Sequence, residues 1–420
     1  MNTINRASIM AIQHLTSEII RKLILHSQLL DGKSKLPAGK EGAAQVIEKL
    51  GYVQIDTISR VERAHHHTLW TRLSDYQPSM LHELQVKDQR IFEYWGHEAS
   101  YLPMQDYRFY LPRMRSFEDP HIGWHRNLFE KYRALTPQIL DRISKEGPLS
   151  SKDFERPAGT KQGGWWDWKP AKTALELLFW QGKLMVVERR GFQRVYDLTE
   201  RVLPARVDTR YPDEEELGQF YVRRALQSMA VAREREILKH LGGATQPLIS
   251  KSLHELVDIG EVVELELVGD KSKPYYAYSS TLDFKNLKGE PQIHFLSPFD
   301  NLIIQRDRIQ RLFDFEFTLQ CYLPVEKRKV GYFLLPILWD DRFTARMDVQ
   351  ADRKNKLLII HNLVFEPGFH DFDQFIEPFT EKLIAYTKFN GCRQIIIEKT
   401  SPAKIKTLIK RLCARRNCQS

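Results

Sequence analysis

Leu175-Glu176-Leu177-Leu178-Phe179-Trp180-Gln181-Gly182-Lys183-Leu184-Met185-Val186-Val187-Glu188-Arg189-Arg190-Gly191-Phe192-Gln193-Arg194-Val195-Tyr196-Asp197-Leu198 is the stretch that decides the fold. Leu175, Leu178 and Trp180 recur at helical spacing, and Gly182 follows as the left-handed residue that ends a helix. Leu184 to Val187 is apolar and β-branched, Arg189-Arg190-Gly191-Phe192 turns, and Val195-Tyr196 returns. A helix, a glycine cap and a hairpin with a basic tip make a winged helix.

The plan recurs twice. Ala44, Ile47 and Leu50 precede Gly51 and the strand Tyr52-Val53-Gln54-Ile55-Asp56. Leu253 and Leu256 precede Gly260 and Glu261-Val262-Val263-Glu264-Leu265, with a tip at Gly269-Asp270-Lys271-Ser272-Lys273-Pro274 and a return over Tyr275-Tyr276-Ala277-Tyr278. Beyond residue 290 the texture is that of successive strands: Ile293-His294-Phe295-Leu296, Phe315-Glu316-Phe317, Val330 to Leu335 and Leu357 to Ile360. Helices are expected near 371–389 and 401–413, with Ile395-Ile396-Ile397 as a strand between them. The expected fold is α+β: three tandem winged-helix (helix-turn-helix) modules over 1–115, 116–210 and 211–285, then a C-terminal β-barrel with flanking helices over 286–420. The tail from Ala403 carries Lys404, Lys406, Lys410, Arg411, Arg415 and Arg416 without an acid, as a solvated face or a phosphate contact.

The 420 residues, 42% hydrophobic and 28% charged, describe an ordinary globular chain with ample core and exclude a fibrous or low-complexity one. Sixty-three Lys and Arg against 54 Asp and Glu leave +9, which favours a polyanionic partner. Cys321, Cys392, Cys413 and Cys418 are too sparse for a disulfide framework and lack zinc-site spacing. Met1 to Arg6 leads into no apolar signal core, and no apolar run approaches the roughly 20 residues of a membrane span. A cytoplasmic, nucleoid-associated monomer is expected. Asp31-Gly32-Lys33-Ser34 lacks the glycine a phosphate-binding loop needs at Ser27, and H-E-x-x-H, G-x-S-x-G, G-x-G-x-x-G and the zinc-deaminase signature are missing. His65-His66-His67 are adjacent rather than facing. Neither a metal nor a nucleotide cofactor is expected.

Laid on the other two copies, Gln54 falls opposite Met185 and Val263, and Asp56 opposite Val187 and Leu265. Residues two apart share one face of a strand. An amide and a carboxylate have therefore replaced apolar groups, either as a functional pair or because this face meets water.

Tyr52-Val53-Gln54-Ile55-Asp56-Thr57-Ile58, followed by Arg60, Arg63-Ala64-His65-His66 and Leu69-Trp70-Thr71-Arg72, resembles the Q-Φ-D segment of the tandem winged-helix interstrand-crosslink DNA glycosylases. The similarity is to their YcaQ-like (AlkX) branch, related to the azinomycin-resistance glycosylases, which carry a second Gln where Asp56 stands. Glu93 to Pro103 and Leu296-Ser297-Pro298-Phe299-Asp300 through Arg306, Arg308 and Arg311-Leu312-Phe313 to Tyr332 are also similar to that family. The resemblance implies three winged helices and a barrel around double-stranded DNA bearing alkylated or crosslinked purines.

It also implies a chemistry. An N7-alkylated guanine is cationic and leaves readily, so the difficulty lies in the oxocarbenium sugar and in delivering water to C1′. Asp56 suits charge stabilisation or water activation, and Gln54 suits holding the water. No lysine accompanies the motif, so base excision without strand cleavage is expected. Arg60, Arg63, His65, His66, Arg72, Lys169, Lys172, Arg189, Arg190, Arg306 and Arg308 are the expected DNA contacts. Trp95 and His97 suit a DNA contact or a structural role equally, whereas Trp165-Trp166-Asp167-Trp168 reads as core and cap. A non-catalytic winged-helix regulator is the chief rival, and a nuclease would want clustered carboxylates that are not seen.

Overall fold

Gly51, at φ 79°, ends the Lys40–Leu50 helix in the left-handed region and turns the chain into the short strand Val53–Gln54. The computed structural model describes residues 13–118, 123–154, 168–282 and 291–416. Trp165, Trp166, Asp167 and Cys418, with the Met1–Arg6 segment, lie outside them, as does the side chain of Lys169. The chain divides into two compact units, one of Leu36–Ile55 with Leu73–Phe220, the other of Met1–Lys35, Asp56–Arg72 and Tyr221–Ser420.

Three stretches repeat one order: helix, short strand, helix, hairpin. The first runs Lys40–Leu50, Val53–Gln54, Pro78–Val86, then Ile91–Trp95 with Ala99–Pro103. The second runs Thr136–Glu146, Leu149–Ser150, Trp168–Trp180, then Leu184–Arg190 with Gln193–Leu198. The third runs Glu214–Met229, Val231–Ala232, Gln246–Asp258, then Val262–Leu267 with Asp270–Tyr278; a further helix precedes the second main helix in the first copy, Ala64–Arg72, and in the third, Glu234–His240. In each, the short strand pairs with the second hairpin strand, which pairs with the first. The third sheet is widened by Gln13–Leu15, parallel to Val262–Leu267.

This topology corrects the expected alignment of the copies. Val53–Gln54 is the short strand between the two main helices, so its counterparts are Leu149–Ser150 and Val231–Ala232, not the strands of Met185 and Val263. The cause is that helix–glycine–strand occurs at two places in this plan, at Gly51 and Gly147 after a first helix and at Gly182 and Gly260 after a second. Periodicity cannot tell the two places apart. The first copy's hairpin is instead the Ile91–Pro103 segment, with Gly96, His97 and Glu98 at its turn. The strand also stops at Gln54: Ile55 N still donates to Ala99 O at 2.7 Å, and Asp56 lies beyond it.

The expected barrel is an open, curled half-barrel. Its strands run in the order Ile293–Phe295, Leu334–Trp339, Arg342–Asp352, Leu357–Phe365 and Gln394–Ile397, with Thr400–Ser401 also on Leu357–Phe365. Register shifts at Ile337/Leu338 and Asp348/Val349 bend it. The two end strands do not pair, and Gln394–Ile397 runs parallel to its neighbour after the Phe372–Phe389 helix. Phe315-Glu316-Phe317, expected as a strand, is irregular, with the two phenyl rings stacked at 6.1 Å in the core. The strand expected from Val330 begins at Leu334, because the Asp348 carboxylate takes the N–H groups of Tyr332 (3.1 Å) and Phe333 (3.0 Å) that a ladder would need. The basic Lys404–Arg415 helix buries Ile405, Ile409 and Cys413. No helix among the described residues is long and apolar enough to cross a membrane.

Candidate active site and nucleic-acid interface

Gln54 and Asp56 fall on opposite sides of the division between the units, and each is described within its own. Gln54 pairs in register with Ser100 and is 7% exposed. Its Oε1 is buried and has no hydrogen-bond partner among the described residues. An amide oxygen in that state costs about 1–3 kcal/mol, so a fold has no stability reason to keep it.

Asp56 is half-buried, and its Oδ1 accepts from Ile58 N at 2.7 Å, the short-range turn a carboxylate makes with its own backbone. Oδ2 has no hydrogen bond to a described residue. Burial raises the carboxyl above the usual aspartate range, with the Ile58 N–H pulling the other way. No arginine among the described residues offsets that desolvation. The Asp56 charge reaches Tyr322 and Cys321, whose ionisations are pushed up by burial first and by Asp56 in addition. Arg306, at the start of the Arg306–Phe313 helix, also reaches them; it is half-buried, burial lowers its ionisation, and its Nε has no partner among the described residues.

The chain after Asp56 is stitched down. Arg60 O accepts from Ala351 N at 2.9 Å, Glu62 N donates to Asn390 Oδ1 at 2.7 Å, and Arg353 donates to Ser59 O and Glu62. The Arg60 guanidinium lies 5.5 Å from the Tyr332 ring centre, Arg328 lies 4.8 Å from the same ring, and Arg60 Nη2 is 3.3 Å from His361 Nε2. Arg60 Nε is buried without a hydrogen-bond partner among the described residues. Arg63 is half-buried at the start of the Ala64–Arg72 helix, where the rings of His65 and His66 lie 4.2 Å apart and burial lowers His66 to about 4.

Other residues expected at DNA are spent inside the fold. Arg72 donates to Asp300 through Nη1 (2.7 Å) and Nη2 (2.9 Å), and neither side chain has exposed surface. Arg308 is buried against Glu236 at 2.7 Å and Met229 O at 3.0 Å. Arg189 and Arg194 both bind the buried Glu93; burial would raise that carboxyl, yet Arg194 and Arg189 hold it below the usual range. Arg72 and Arg308 are structural, since their charges are buried on acids, and Arg189 is largely taken up by Glu93. Arg190 and Lys172 remain exposed, Arg190 beside Glu188. His97 stacks on Tyr52 at 6.1 Å, and Trp95, at the end of the first copy's hairpin strand, keeps a buried Nε1 without a hydrogen-bond partner among the described residues. The structure therefore gathers Asp56, Arg60 and Arg306 in one unit and adds Tyr322, Arg328 and His361, which sequence reasoning missed. Arg328 lay inside the family-like segment and could have been found there; His361 carries no sequence signal.

A family model described as DNA glycosylase AlkZ-like matches residues 47–386, and the chain belongs to that family of DNA glycosylases. Among solved structures it is similar to the Streptomyces sahachiroi DNA glycosylase AlkZ, with 14% identity and a TM-score of 0.63 over 92% of this chain and 100% of that one. At that identity the likeness concerns the fold.

Proposed function

We propose that this glycosylase hydrolyses the N-glycosidic bond of N7-alkylated purines, unhooking interstrand crosslinks, and that Asp56 and Gln54 carry the reaction. What supports this reading is that both polar members of the Q-Φ-D triplet keep an unspent oxygen, Gln54 Oε1 and Asp56 Oδ2. The cationic base departs with the bonding electrons and needs no acid to protonate it. The Asp56 carboxylate stabilises the oxocarbenium and accepts a proton from the water that attacks C1′; burial makes it a stronger base than an exposed aspartate. The Gln54 amide holds the water. The three repeats are read as winged helices over 1–115, 116–210 and 211–285, ahead of the half-barrel unit of 286–420. Duplex contact is assigned to Arg60, Arg63, His65, His66, Lys172, Arg190 and Arg306, with Trp95 and His97 at the first hairpin and Lys169 beside Lys172.

The test is incubation of the purified chain with duplex DNA bearing an N7-alkylguanine crosslink in excess EDTA. Release of the base, with breaks appearing only after hot alkali, is the expected result. Direct strand scission, or loss of activity in chelator, would overturn it.

A further inference from the structure

The loop between Gln320 and Gly331 is braced at its base and apolar at its crown. Buried Gln320 accepts Val330 N (3.1 Å) and Gly331 N (3.4 Å) on its side-chain oxygen. Arg328 Nε donates to Gln320 O (3.2 Å) and Leu323 O (3.0 Å), while its guanidinium lies over Tyr332. Asp348 holds Tyr332 N and Phe333 N, and Gly331 is required beside it, since a Cβ there would come within 2.1 Å of Asp348 Oδ2. Even so, Tyr322 is 65% and Val325 73% exposed, the latter the most exposed large apolar side chain among the described residues. A slack loop could fold such groups inward. This one is hydrogen-bonded so that it holds them in water.

The surroundings say what covers the crown. Asp56 acts electrostatically on Tyr322, so the crown borders the proposed reaction centre. Cations flank it, Arg306, whose Nε has no partner among the described residues, and the exposed Lys327 and Lys329, with the exposed acid Glu326 beside them. An aromatic face and an aliphatic one, with cations beside them, complement base pairs within their phosphate backbone.

We propose that the Gln320–Gly331 loop is a wedge, with Tyr322 stacking on the base pair that flanks the damaged nucleotide and Val325 packing beside it, so that the sugar is held against Asp56. This rests on the glycosylase reading of Asp56, but binding can be tested apart from excision. A duplex carrying a tetrahydrofuran abasic analogue beside 2-aminopurine reports stacking by fluorescence, and single-turnover excision of N7-methylguanine reports rate. The wild type and Tyr322→Phe should give the same fluorescence change. Tyr322→Ala with Val325→Ser should lose it, bind the duplex about tenfold or more weakly, and slow excision, at an unchanged melting temperature. Wild-type fluorescence and affinity in the double variant would overturn the wedge. A wild-type chain that shows the fluorescence change but excises no base would instead overturn the glycosylase reading and leave the wedge standing.

Discussion

The two ends of one short stretch, Asp56 to Arg72, treat their polar groups in opposite ways. At its end most groups are spent, with His67 Nδ1 the buried atom of that helix end left without a hydrogen-bond partner among the described residues. His67 donates from Nε2 to Phe295 O at 2.9 Å, Thr71 donates to His67 O, and Arg72 is closed on Asp300 and Gln28. Trp70 stacks on Phe389 at 4.9 Å. At its beginning, Asp56 Oδ2 and Arg60 Nε have no hydrogen-bond partner among the described residues, although the backbone around them is pinned by Ala351, Asn390 and Arg353. The fold secures the backbone there and leaves these two atoms unspent. That difference separates groups kept for stability from groups kept for a ligand.

Breaking the spent end should have the largest effect. Arg72→Ala leaves the Asp300 carboxylate buried and unpaired, which costs about 3–5 kcal/mol and should appear in denaturant unfolding. Loss of DNA binding without loss of stability would return Arg72 to the phosphate contacts. Next comes pH. Burial lowers His67 from 6.5 to about 4, so it is neutral in the fold, and between those values the unfolded chain binds a proton the folded one refuses. Stability is therefore full above 6.5 and falls on acidification toward 4, by about 3 kcal/mol. His67→Gln should flatten that part of the melting profile. The smallest effect tests neighbours on one hairpin. Arg190→Ala should weaken binding to all duplexes alike and reduce the salt slope by about one. Loss of affinity for a single sequence would favour a regulator instead.

Much of this was legible in the sequence, and the failures have physical causes. The helix–glycine–strand repeats and the Gln54-Ile55-Asp56 triplet could be read because glycine caps and strand residues leave local signals. The register between copies could not, because Gly51 and Gly182 end different helices with one signature. Charge alone could not show that Arg72, Arg189 and Arg308 are ion-paired within the fold, since the acids that claim them, Asp300, Glu93 and Glu236, are 228, 96 and 72 residues away. Tyr322 stayed hidden because an aromatic residue in an irregular stretch reads the same buried or exposed. Only the bracing hydrogen bonds of its loop set it apart.

Single-turnover excision of N7-alkylguanine by Asp56→Asn, set against its melting temperature, tests the central claim most directly. The substitution keeps shape and the Ile58 contact but removes the charge. The wild-type rate should fall on acidification through a value above the usual aspartate range, because burial raises this carboxyl. The variant should lose roughly 10²-fold or more in rate with melting and lesion-duplex affinity unchanged, and Gln54→Ala should lose less. An Asp56→Asn chain that excises at close to the wild-type rate with its fold intact would contradict the account.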